Sequence, residues 1–80
     1  MSESEYEADE TVDARGSACP GPLMDLIGKI KNVEDGTVVA LLTEDEGSKN
    51  DVPEWVEEAG HDLLDIVDEG EYYSIYVKKT

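Results

Sequence analysis

The sequence is short of the covalent and metal-binding residues that usually hold a small domain together. Cysteine occurs once, as Cys19, and histidine once, as His61, in a chain of 80 residues. A single thiol excludes an intramolecular disulfide, and a zinc site would have to be built from carboxylates throughout. At this length disulfides or a structural metal are common aids to folding, so packed secondary structure must hold the fold unaided, with no metal and no cofactor expected. A lone cysteine also suits a reducing, cytoplasmic compartment. Basic residues are scarce too: six Lys and Arg stand against 21 Asp and Glu, for a formal net charge of −15. Such a surface repels phosphates, which argues against direct contact with nucleic acid or anionic lipid. Long apolar runs are missing. The longest, Val38-Val39-Ala40-Leu41-Leu42, is far too short to span a bilayer, and the acidic start is unlike an export signal.

Two kinds of chain carry this much negative charge. A disordered acidic chain lacks periodic apolar residues, whereas here apolar residues make up 39% and fall into periodic blocks. The balance therefore fits a folded domain with an acidic shell, as expected in a very salty cytoplasm where salt screens self-repulsion. A halophilic archaeon is the expected source.

Residues 1–10 read as an acidic disordered tail, with the domain proper over 11–80. A short extended segment is expected at Thr11 to Ala14, broken by Gly16. Leu23, Leu26, Ile27 and Ile30 then recur at i, i+3, i+4 and i+7, one stripe of a helix. Pro20 and Pro22 fit only its first turn, so the helix is expected to begin at Cys19-Pro20 and end near Asn32. Thr37 to Thr43 reads as a covered strand, and Glu44 to Asn50 as a polar loop. Asp51 with Glu54 resembles a capping box with Pro53 in the first turn. Val52, Trp55, Val56 and Ala59 give that second helix its apolar face, and Gly60 ends it. His61 to Val67 and Tyr72 to Lys78 form a closing hairpin around Asp68-Glu69-Gly70. The order βαβαββ predicts an α+β fold: a two-layer sandwich whose mixed four-stranded sheet carries both helices on one face.

The chemistry concentrates in Asp13-Ala14-Arg15-Gly16-Ser17-Ala18-Cys19-Pro20-Gly21-Pro22-Leu23. A cysteine at a helix N-terminus faces the positive end of the helix dipole, which favours the nucleophilic thiolate. Pro20 and Pro22 remove two N–H donors from that turn, so the depression of the thiol pKa is expected to be moderate at most. The prolines fix the helix start instead, and Gly21, without a side chain, leaves room for a partner's donor group. With no second cysteine, no dithiol cycle can run within one chain. An activated sulfur without a neighbouring base suits carrying better than turnover.

The Cys19-Pro20-Gly21-Pro22 segment resembles the Cys-Pro-X-Pro signature of the TusA/SirA-like sulfur carriers. Asp13-Ala14-Arg15-Gly16 is similar to the family's lead into the cysteine, and Thr43-Glu44-Asp45-Glu46-Gly47-Ser48 to its Thr/Ser-X-Asp-X-Gly-Ser loop. Asp51-Val52-Pro53-Glu54-Trp55 resembles its second-helix start, and Gly60-His61 its Gly-His turn. The resemblance spans about Val12 to Lys79 and implies the βαβαββ two-layer fold. It implies that Cys19 accepts persulfide sulfur from a cysteine desulfurase or rhodanese-like donor and relays it to an acceptor sulfurtransferase, on the route to tRNA thiolation or sulfur-cofactor assembly. The chain would then be a sulfurtransferase-like persulfide carrier rather than a stand-alone turnover enzyme, working as a monomer or weak dimer.

Other readings stay open. Cys19 could be a small buried hydrophobe, and the chain a regulatory or adaptor module or a thiol redox switch. Arg15, the sole arginine, either brings positive charge toward Cys19 or pairs with a local carboxylate. Asp45 and Ser48 are expected to tie their loop to the second helix. His61 is expected to satisfy a backbone carbonyl as the third strand opens, with a role as base the alternative. Trp55 and the tyrosines are expected in the core and on the sheet.

Overall fold

The computed structural model describes residues 7–16 and 21–80. Over these the chain forms β1 (Glu10–Asp13), α1 (Gly21–Ile30), β2 (Val38–Thr43), α2 (Ser48–Ala59), β3 (Asp62–Asp68) and β4 (Tyr73–Lys78). The strands make one sheet in the order β1-β2-β4-β3. β1 runs parallel to β2, while β4 is antiparallel to both β2 and β3. This is the α+β sandwich that the hydrophobic pattern predicts.

Register explains the layering. Val39 lies opposite Val77 and Leu41 opposite Ile75, so the period-two pleat turns these four side chains to one face. Leu26 and Ile30 of α1 and Val52 and Val56 of α2 pack with them in a single buried cluster. Both helices therefore cover the same face of the sheet. Each such side chain contributes about 1.5–3 kcal/mol of gross burial energy, most of it offset by the ordering of the chain. β4 is covered on both pleats: Ser74 and Tyr76 are 2% and 6% exposed.

Two boundaries and one strand's regularity differ from the sequence reading. Residues 1–6 of the expected tail lie outside the described residues, but Glu10 opens β1 and Asp9 bonds to β2. The Asp9 N–H donates to the Val38 carbonyl at 2.8 Å, the Asp9 Oδ2 accepts from the Val38 N–H at 3.0 Å, and Glu10 pairs with Lys29 at 3.0 Å. α2 starts three residues before the expected capping box. Gly47 takes the N-cap position without a side-chain hydrogen bond. The Ser48 N–H donates to the Asp45 carbonyl at 3.2 Å and the Asp51 N–H to the Gly47 carbonyl at 2.9 Å. Asp51 thus sits inside the first turn and Pro53 inside the helix. Finally, β3 carries an extra residue between Leu63 and Asp65, a bulge that places Leu64 opposite no residue of β4.

Candidate functional site

Because β1 and β2 are parallel and β4 is antiparallel to β2, one end of the sheet gathers the carboxyl ends of β1 and β2 and the start of β4. In sheets with parallel strands, ligands favour this end. The β1–α1 connection opens there. On its strand side, Ala14 is 2% exposed and its N–H donates to the Leu42 carbonyl at 2.8 Å, extending the parallel ladder by one residue. Gly16 follows at φ +89, a left-handed turn that side-chain-free glycine adopts without strain. On its helix side, Gly21 opens α1 and Pro22 is fully buried in the first turn. The two ends of the connection are therefore pinned in the core. Cys19 and Pro20 lie outside the described residues, as does the expected helix start at Cys19-Pro20.

Arg15 resolves one of the two readings left open for it. It is tied to Asp13 by a two-pronged pair: Nε donates to Oδ1 and Nη2 to Oδ2, each at 2.9 Å, and the Arg15 backbone N–H adds a third bond to Oδ1 at 3.1 Å. These hydrogen bonds hold the Asp13 carboxyl at about 2, below the ordinary 3.8. The guanidinium also lies over the Tyr72 ring, 5.0 Å from its centroid, a favourable arrangement for a cation. The pair stays exposed at the mouth of the connection, with side-chain exposures of 44% and 54%.

Below this mouth lie three buried polar side chains, each satisfied. Thr43 Oγ1 accepts from the Asp45 N–H at 3.1 Å, Ser48 Oγ donates to Asp45 Oδ2 at 3.3 Å, and Ser74 Oγ donates to Glu69 Oε2 at 2.8 Å. Asp45 and Ser48 therefore do tie the loop to α2. Lys49 lies over the Tyr73 ring, 4.5 Å from the centroid. The sequence reading missed the parts played by Tyr72, Tyr73 and Lys49, because only the pairing of β4 with β2 brings them to this end.

His61 satisfies a backbone carbonyl through its main chain, its N–H donating to the Val56 carbonyl at 3.0 Å. Its ring is an acceptor instead: Nδ1 accepts the Thr80 backbone N–H at 3.2 Å, and the ring leans on Trp55 with centroids 5.5 Å apart. Trp55 is half-buried against the core, as expected. Among the described residues, no group of three or more His, Cys, Asp or Glu is placed to hold a metal ion, and no helix is long and apolar enough to cross a membrane.

Residues 10–79 match the model of the family described as sulfurtransferase TusA. The chain belongs to the TusA family. A relative from Archaeoglobus fulgidus, named as a candidate sulfur carrier protein, is 56% identical over 68 residues, covering 85% of this chain and 93% of its own. The sulfur carrier protein TusA of Pseudomonas aeruginosa (strain LESB58) is 27% identical over 74 residues, covering 92% and 94%. The crystal structure of a SirA-like protein from Desulfitobacterium hafniense superposes with a TM-score of 0.77 at 21% identity, over 86% of this chain and 95% of the other; it shares the fold. The TusA relatives support a sulfur-carrier role, and such a carrier works between sulfur donor and acceptor proteins.

Proposed function

We propose that Cys19 carries sulfur as a persulfide. Its thiolate attacks the outer sulfur of a donor persulfide on a cysteine desulfurase or rhodanese-like protein. The donor's S–S bond breaks, the donor cysteine leaves as a thiolate, and Cys19 gains the outer sulfur with its proton, becoming an S–SH group; no net oxidation occurs. An acceptor thiolate repeats the exchange and takes the outer sulfur, on the route to thiolated tRNA or a sulfur-containing cofactor. The observation that carries this reading is the cysteine itself: Cys19 is the only thiol in a chain that matches the TusA family over residues 10–79. Pro20, Gly21 and Pro22 act as its clamp, and Arg15 with Asp13 as a fixed, mutually neutralised pair four residues upstream. The setting is the cytosol of a salt-loving cell. The acidic segment before Asp9 is an appendage to the domain, and the carrier acts as a monomer or weak dimer.

The test is mass spectrometry after incubation with a cysteine desulfurase and free cysteine. Wild-type chain should gain the mass of one sulfur atom, removable by reductant, and Cys19→Ser should gain none. A wild-type chain that stays unmodified, or a serine variant that gains sulfur equally, refutes the assignment.

A further inference from the structure

Where the two helices meet, an open groove of about 250 Å³ is lined by Leu23 of α1 and by Asp51, Glu54, Trp55 and Glu58 of α2. The four α2 residues fall at i, i+3, i+4 and i+7, one stripe of that helix. Leu23 and Trp55 are half-buried against the core, so the floor is apolar and the rim acidic. Met24, beside Leu23 in sequence, is 60% exposed. The groove is smaller than the roughly 300–1,000 Å³ of pockets for drug-sized ligands, a scale that suits one long side chain.

Charge decides which side chain. Among the described residues the ion pairs are Arg15–Asp13 and Lys29–Glu10, so the chain's own cations leave Glu54 and Glu58 uncompensated. Lys49 and Lys79 are committed elsewhere, over Tyr73 and on the Val33 carbonyl. An aromatic face beside carboxylates favours a planar cation on an apolar stem. The stem covers the floor, the cation lies against the indole, and its N–H groups reach the carboxylates.

We propose that this groove seats an arginine side chain, carried next to an apolar residue on an exposed segment of a partner protein. The apolar neighbour meets Met24. Leu23 is four residues after Cys19, a reach of at most about 14 Å along the chain, so a segment held in the groove is brought up to the thiol. The identity of that partner as sulfur donor or acceptor rests on the carrier reading. Seating of the arginine does not.

Trp55 is the only tryptophan, so its fluorescence reports on the groove directly. The probes are an acetylated, amidated peptide Ala-Leu-Arg-Ala-Leu-Arg-Ala and the same peptide with citrulline for both arginines. The arginine peptide should change Trp55 emission saturably, and the citrulline peptide should bind about fivefold or more weakly, the scale of an exposed ion pair. Glu54→Gln/Glu58→Gln should weaken the arginine peptide by a similar factor. Asp35→Asn/Glu71→Gln, which removes the same charge from exposed turns away from the groove, should change it less than about twofold. Thermal melts of both double variants separate lost binding from lost folding. Equal weakening in the two doubles, or no saturable Trp55 response in the wild type, overturns the proposal. Cys19→Ser should bind the peptide like wild type, so failure here leaves the sulfur-mass result standing, and the reverse.

Discussion

At the scale of single residues, the best-defined feature is the Asp13–Arg15 pair. The sequence offered pairing with a local carboxylate as one of two roles for Arg15 without naming Asp13; the turn after β1 that folds Arg15 back onto it, and its stacking on Tyr72, which depends on β4 reaching the same end of the sheet, were not legible. Asp13 holds its proton only below about 2, against an ordinary 3.8. Between those values the unfolded chain binds more protons than the folded one, so acidification through this window favours unfolding, and above it the contribution is fully present. A ¹³C carboxyl titration should place the Asp13 midpoint near 2 in wild type and back toward 3.8 in Arg15→Ala; an unmoved midpoint would show that Arg15 is not the cause. The same pair predicts how Cys19 reacts. Arg15→Ala strands the Asp13 carboxylate in the same loop, so the pH midpoint of Cys19 alkylation by iodoacetamide should rise. Asp13→Asn strands the Arg15 charge four residues before Cys19, and should lower that midpoint.

At the scale of elements, the apolar stripes were readable and the caps were not. Leu26 and Ile30 sit on the face that their spacing predicts and are buried. Leu26→Ala should cost about 2–5 kcal/mol by urea denaturation, the range for a large side chain removed from a closed core. The start of α2 was misjudged because Asp51 and Glu54 have the spacing of a capping box. Asp45 wins the competition: it accepts from the backbone and hydroxyl of Ser48, which begins the helix one turn earlier. The far end of α2 was legible, since Gly60 takes φ +81 and the His61 N–H donates to the Val56 carbonyl at 3.0 Å. A Cβ at Gly60 would meet nothing within 4 Å, so Gly60→Ala should cost about 1–2 kcal/mol through backbone strain alone. Gly60→Asn should cost less, and calorimetry of the two variants checks the order. The groove between Leu23 and Trp55 was hidden from the sequence because its walls come from separate helices.

At the scale of the whole molecule, a net charge of −15 on 80 residues sets the response to salt. Raising ionic strength from about 0.1 M to about 1 M shortens the screening length from about 10 Å to about 3 Å. Self-repulsion then fades, and the melting temperature should rise; a flat or falling curve in potassium chloride would show that repulsion is not what limits stability. The same screening removes a safeguard. β3 lies at the sheet's edge and presents Asp62, Asp65 and Asp68 along seven residues, a fence of like charge against a second copy adding its own strand. In brine that fence is nearly transparent. What persists is the surplus residue at Leu64, which throws the edge's hydrogen-bonding groups out of step with any regular strand laid beside it and so guards against fibre growth by shape, at every salt concentration.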